Sequence, residues 1–360
     1  MRIDNLSTRI SRTALSGSRT SLIHKACTTG LLGVAIASAP LMATAQDAEH
    51  TLTLGYLSVS GSYYSENVER IPDIVAEATD GRVEIDLNTS ILGATQLASG
   101  VRSARVPMSA AVQTYLAGDD PRMGLFNLPG LIQGMAEYKF VGDAFWFDDL
   151  AELWENEWNS IVLANGAWCP NKLWTNEPIE TVEDFQGKTL RVHNPQMAAF
   201  VRELGASPTA MAMAELMPAL ERGVIDGVFT SWCVGWEQEY WRVANHAQNW
   251  GFADVTGWAI IINKDEWESL PEDLRDSIGA VMKEFEQDVL HGYNEFAANA
   301  RQAMIDSDDV IVIEIDEAER ARIFEPEYTD AVYEAWYERA EQRGFDGREY
   351  VERVRTLLLK

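Results

Sequence analysis

The chain has 360 residues, 46% of them hydrophobic and 10% aromatic, with 29 basic against 56 acidic side chains and a formal net charge of −27. That length allows two lobes, since domains run about 100 to 200 residues, and that apolar content excludes a disordered chain. The acidic balance argues against nucleic acid as a partner, because its phosphates would be repelled, and fits a surface kept soluble by its own charge.

The first 45 residues differ from the rest. Arg2, Arg9, Arg12, Arg19 and Lys25 precede an apolar run from Leu31 to Met42, closed by Ala43-Thr44-Ala45. A positive region, a short apolar region and a small-x-small site read as a secretory signal peptide, residues 1–45, cut near Ala45. Cleavage would remove those five basic side chains and a single acid, Asp4, leaving a still more acidic protein. The apolar run is too short to span a bilayer, and no other uninterrupted run reaches about 18 residues. A soluble, exported protein that does not itself span the membrane is expected.

From Thr51 to Val59 an alternating apolar pattern predicts a strand, followed by a loop at Ser60-Gly61-Ser62-Tyr63-Tyr64 and a helix from about Ser65 to Asp80-Gly81. Strand, loop and helix start is where α/β proteins place ligands, which makes Tyr63, Tyr64 and Glu66 candidates for a binding site. Val83 to Leu87 and Met108 to Val112 continue the alternation, and Leu125 to Leu131 reads as a strand with a turn. Glu137 to Trp158 is helical by pattern, with aromatics at core spacing. After a strand at Ile161 to Leu163, the run Asn165-Gly166-Ala167-Trp168-Cys169-Pro170-Asn171-Lys172 breaks regular structure, as a crossover between lobes would.

The stretch Gly187 to Gly227 holds two helical patterns between three short apolar runs, the grammar of a β-α-β-α-β unit. Arg191 interrupts the first strand between Leu190 and Val192. A guanidinium keeps its charge when buried, so this one needs an anion, either a protein acid such as Glu215 or Asp226 or a ligand. His193 falls two residues further on the same strand face. Beyond Gly227 come Thr230, Trp232, Cys233 and Trp236, then a strand from Trp258 to Ile262. Pro271 opens a helical pattern of about 33 residues, roughly 50 Å long and too long for one small lobe, which reads as a strut across both.

Of three cysteines, Cys27 leaves with the signal segment. Cys169 and Cys233 remain in an exported chain, where disulfides persist; one bridge and two free thiols are both open. No nucleophile elbow, phosphate loop, dinucleotide glycine motif or His-Glu-x-x-His occurs, and the histidines lack metal-ligand spacing. Catalysis, a cofactor and a metal are therefore not expected. The tryptophans Trp168, Trp174, Trp232, Trp236 and Trp258 lie in or beside the two expected crossovers and divide between core and cleft.

Gly187-Lys188-Thr189-Leu190-Arg191-Val192, Leu204-Gly205-Ala206-Ser207-Pro208, Glu215, Ala219-Leu220, Gly223 and Asp226-Gly227 together resemble the solute-binding receptors of TRAP transporters (DctP-like family). Gly81-Arg82-Val83, Leu92-Gly93, Leu128-Pro129 and Trp267-Glu-Ser-Leu270-Pro271 extend the resemblance over nearly the whole mature chain. It implies a two-lobed α/β periplasmic-binding-protein fold with crossover strands and a long lobe-spanning helix. The lobes would be residues 46–168 with 257–296, and 169–256 with 297–360. It further implies a monomeric periplasmic receptor that closes like a hinge on a small organic acid and hands it to TRAP membrane permease subunits. In the family, the arginine matching Arg191 grips the solute carboxylate. Trp168, Trp174, Thr230, Trp232, Tyr63, Tyr64 and Glu66 are the further candidates for the ligand site. This chain has Lys172 or Trp168-Cys169-Pro170 where a second arginine often stands, and Thr230 where an asparagine is frequent, which weighs against a simple dicarboxylate. The alternative solute is a small amine or quaternary ammonium ion caged by indole faces and paired with Glu66.

Overall fold

The computed structural model describes residues 48–211 and 213–360; the expected signal peptide and its cleavage position lie outside them. The chain opens with β1 (His50–Gly55), α1 (Tyr63–Val68), α2 (Ile71–Ala78), β2 (Val83–Asn88), α3 (Leu97–Arg102) and β3 (Met108–Val112). It continues through α4 (Gly134–Val141), α5 (Phe147–Trp158), β4 (Ser160–Ala167), β5 (Asn171–Thr175), β6 (Thr189–Arg191), α6 (Pro195–Glu203), β7 (Ser207–Thr209), α7 (Met213–Glu221) and β8 (Gly227–Ser231). The last part holds α8 (Trp232–Glu237), β9 (His246–Asn249), β10 (Gly257–Asn263), α9 (Lys264–Ser269), α10 (Glu272–Ser307), β11 (Ile311–Glu314), α11 (Glu317–Arg322), α12 (Pro326–Gln342) and α13 (Gly347–Leu358).

These strands form two sheets. The first has the order β2-β1-β3-β10-β4 and the second β11-β9-β5-β8-β6-β7. Strands joined through helices pair in parallel, as β1 does with β2 and β3, and β6 with β7 and β8. The strands next to the crossovers run the other way: β10 is antiparallel to β3 and β4, and β5 to β8 and β9. The chain passes from the first sheet to the second through residues 168–170 and returns through residues 250–256. The two passages are stitched together, with Trp168 N donating to Thr256 O at 2.9 Å and Asn171 Nδ2 to Ala253 O at 2.6 Å.

Helix α10 runs 36 residues, about 54 Å at 1.5 Å per residue. Glu272 and Asp273 sit in its first turn, where the helix dipole favours negative charge, and Asp308 ends it in a left-handed conformation. It touches α2, α4 and β4 of the first sheet's surroundings and α8 and β11 of the second's. Its Glu286 carboxylate accepts from Asn165 N at 2.6 Å, covering a backbone donor that the edge strand β4 would otherwise leave open.

Three local expectations need correction. Leu125 to Leu131 is not a strand: Pro121–Asn127 forms a 3₁₀ helix whose first turn is capped by Asp120. A run of buried apolar residues looks the same in either conformation. The helix expected from Ser65 is two helices, because Pro72 has no N–H to carry the first one onward and α2 restarts around it. The helix expected over 137–158 is interrupted by a wide turn at Gly142–Trp146.

Candidate functional site

Strand β6 is short, and its neighbours hold it in place. The Asp226 carboxylate accepts from Thr189 N at 2.7 Å, so one of the acids considered as a partner for Arg191 is used on the backbone of the same strand. The other, Glu215, is exposed on α7. Gly227 pairs with Leu190, and a Cβ there would come within 2.6 Å of the Trp174 carbonyl oxygen, so a side chain cannot be accommodated. Gly205 ends the turn after α6 at a φ of +85°, which favours glycine. The glycines of this stretch thus serve the path of the backbone, and Arg191 is left to project from it.

Arg191 is 4% exposed. Its Nη1 donates to Phe229 O at 3.4 Å, a long contact, and its Nε has no hydrogen-bond partner. The guanidinium faces a cleft of about 360 Å³, part of it open to solvent, which both sheets line. From the first sheet's side come Val112, which ends β3, and Thr114 and Tyr115, which follow it, together with Trp168. From the second come Arg191, His193, Asn171, Thr230 and Ser231. Nearly all stand at or just beyond strand ends, where α/β folds converge backbone and side-chain groups on a ligand.

His193 lies beside Arg191, its Nδ1 3.4 Å from Thr114 Oγ1 and 3.3 Å from Asn194 Nδ2. Burial first, and then the nearby guanidinium, lower its pKa to about 3, so the imidazole is neutral at physiological pH. Trp168 stacks on Tyr64 with ring centroids 4.4 Å apart, and its indole Nε1 has no partner. The disulfide Cys169–Cys233 stands directly behind the cleft, and ties the residues next to Trp168 to those next to Ser231 and Val234.

The sequence candidates separate into two groups. Arg191, Trp168 and Thr230 line the cleft. Trp174, Trp232, Tyr63, Tyr64 and Glu66 do not stand among its lining residues. Trp174 is fully buried, with its ring against Gly235, whose Cβ would come within 2.1 Å of it, and Trp232 meets it edge-on at 6.5 Å. Tyr63 fastens α1 to the long helix by donating to Val289 O at 2.6 Å, and Tyr64 donates to Ala110 O at 2.8 Å. Glu66 is exposed on α1, its carboxyl pKa raised by partial burial and by Glu69. Lys172, considered as a second cation, is 5% exposed and pairs with Asp254 at 2.8 Å beneath the face of Trp232. Asn171, Ser231 and Thr114 escaped the sequence reading, although their places at predicted strand ends were the signal that could have found them.

Among the described residues there is no group of three or more His, Cys, Asp or Glu side chains able to hold a metal ion. No helix among them is long and apolar enough to cross a membrane. The arrangement offers a buried cation, neutral hydrogen-bonding groups and apolar walls, suited to holding a small anion away from water.

A family model described as bacterial extracellular solute-binding protein, family 7, matches residues 55–340. The chain is similar to a solute-binding protein of Roseobacter denitrificans, 25% identical over 273 residues that cover 72% of this chain and 82% of that one. It is also similar to the C4-dicarboxylate-binding periplasmic protein DctP of Rhodobacter capsulatus, 33% identical over 150 residues, a match spanning 41% of this chain and 44% of that relative. Among solved structures, a Bordetella pertussis extracytoplasmic solute receptor binding pyroglutamic acid superposes with a TM-score of 0.77 at 19% identity, covering 85% of this chain and 99% of that one. A TRAP periplasmic solute-binding protein of Sulfurospirillum deleyianum with bound succinate gives 0.74 at 18% identity, covering 86% and 99%. At these identities the likeness of the structures is one of fold.

Proposed function

The chain belongs to the bacterial extracellular solute-binding proteins of family 7, the receptors of TRAP transporters and not enzymes, and from that premise we propose that it captures a small organic acid in the cleft at Arg191 and delivers it to a TRAP membrane permease. The observation that carries this reading is the Arg191 guanidinium, 4% exposed, facing the cleft with an unpartnered Nε. A buried guanidinium costs free energy until an anion meets it, and a carboxylate matches its planar fork with two parallel hydrogen bonds. The relatives and neighbours above that bind a C4-dicarboxylate, pyroglutamic acid and succinate support the same ligand class.

In this reading the two sheets belong to two lobes, residues 46–168 with 257–296 and residues 169–256 with 297–360. They part and close about the passages at 168–170 and 250–256, with α10 as the strut between them. The receptor works as a periplasmic monomer freed of its signal peptide near Ala45. Trp168 and Thr230 shape the cleft directly. Trp174, Trp232, Tyr63 and Tyr64 support its walls from behind, and Glu66 stands outside. An amine or quaternary ammonium solute is the weaker alternative, because no carboxylate stands among the described lining residues to neutralise it.

The experiment is a thermal-shift screen of small organic acids and amines, followed by calorimetry on the hits. Arg191→Ala removes charge-assisted hydrogen bonds worth about 3 kcal/mol, so affinity for the acid should fall about a hundredfold. Arg191→Lys should restore only part of it, since an ammonium lacks the bidentate fork. An Arg191→Ala protein that binds acids as tightly as the parent would end the carboxylate reading.

A further inference from the structure

The charges around the cleft limit the solute beyond its being an acid; this step rests on the reading of Arg191 as the carboxylate ligand. Among the described lining residues Arg191 carries the one permanent charge. His193, its neighbour, is held neutral by burial and by the same guanidinium. The remaining lining residues are uncharged: some are apolar, as Val112, Met213 and Val234 are, and others carry neutral polar groups, as Thr114, Asn171 and Thr230 do.

A second cation lies close by in the fold but is committed elsewhere. Lys172 sits opposite Thr230 in the β5–β8 ladder, and its Nζ is 2.8 Å from Asp254 Oδ1 and 5.6 Å from the Trp232 ring centroid. Both side chains are largely withdrawn from solvent, at 5% and 17% exposure. Asp254 belongs to the passage that returns the chain to the first sheet, so the pair is anchored by the crossover itself. A buried ion pair is costly to open, because each partner then keeps an uncompensated charge. A carboxylate entering the cleft can be neutralised once, by Arg191. A second one would lose its water with no cation to receive it.

We propose that the solute is a small monocarboxylate whose remaining body is uncharged, and that the Lys172–Asp254 ion pair sets this limit by withholding the second cation. The pair is a specificity-determining element that acts from behind the cleft wall.

The test compares matched acids on the full-length mature protein by calorimetry at pH 7.5, where all are ionised. Short-chain monocarboxylates are set against dicarboxylates of the same length, such as 2-hydroxybutyrate against malate and butyrate against succinate. The monocarboxylate of each pair should bind at least tenfold more tightly. Dicarboxylates binding equally or more tightly overturn the inference while leaving the role of Arg191 intact. Failure of both classes, with an amine bound instead, overturns the carboxylate reading and this one with it. Asp254→Asn releases Lys172 and should narrow the gap at least threefold, whereas Lys172→Met combined with Asp254→Asn should restore it. An unchanged gap in a folded Asp254→Asn protein removes the ion pair from the argument. If that variant does not fold, the comparison of acids on the parent protein still decides the preference.

Discussion

Replacing Cys169 and Cys233 together by alanine removes the one covalent tie behind the cleft. The bridge joins residues 64 apart in sequence, and the loop it closes contains β5, β6, β7 and β8, four of the strands of the second sheet. In the chain-entropy picture, freeing a loop of this length gives the unfolded state about 4 kcal/mol. At about 2 °C per kcal/mol for a chain of this size, the melting temperature should fall by about 8 °C or more. Alanine is preferable to serine because both sites are 1 to 2% exposed, and a buried hydroxyl without a partner would add its own penalty. The assay is paired urea denaturation of the two proteins, with solute affinity measured below the transition. Affinity should fall as well, because Trp168 and Asn171 flank one cysteine and Ser231 and Val234 the other. A loss of less than about 1 kcal/mol, with unchanged affinity, would refute the view that the bridge constrains the unfolded chain and orders the cleft wall.

Two further perturbations test the packing and the charge state of the site. Gly235→Ala places a methyl group within 2.1 Å of the rigid, buried Trp174 ring, an overpacking worth about 1 to 3 kcal/mol, and should lower the melting temperature by several degrees; an unchanged value would mean that the ring is free to move aside. The His193 imidazole has a folded pKa of about 3 against about 6.5 unfolded. The unfolded chain therefore takes up this proton first, and the stability held above about pH 6.5 is lost as pH falls toward 3. Because the residue is only partly withdrawn from solvent, the parent should lose about 1 to 2 kcal/mol more than His193→Gln between pH 7.5 and 4.5. Equal losses in urea midpoints would show that His193 is not held neutral by the fold.

Long-period features are legible in the sequence alone. The apolar face that begins after Pro271 announces α10, because its spacing repeats over many turns, and the strand and helix alternation announces an α/β fold. Arg191 was legible for a local reason, a permanent charge between two apolar strand residues. The indoles were not. Trp168 and Trp174 occupy similar places beside the same crossover, yet one lines the cleft and the other packs on Gly235. What separates them is a glycine 61 positions further along for Trp174 and a stacked Tyr64 for Trp168, both long-range facts that no local pattern contains. The same holds for Lys172, whose charge is taken up by Asp254, 82 positions further along the chain.

The burial of Arg191 also has a kinetic side. With 4% of the residue accessible, the guanidinium offers little surface to a solute arriving from bulk while the walls stand together. Under the proposed hinge motion, capture waits on an opening step, and the apparent dissociation constant is the intrinsic one divided by the fraction of molecules competent to receive the solute. As solute concentration rises, the observed capture rate should level off at the opening rate instead of climbing linearly. The fluorescence of Trp168, which lines the cleft and is stacked on Tyr64, is placed to follow that plateau in a stopped-flow record. A receptor built this way meters uptake by how often it opens, and the solute already inside is held for the same reason that the next one must wait.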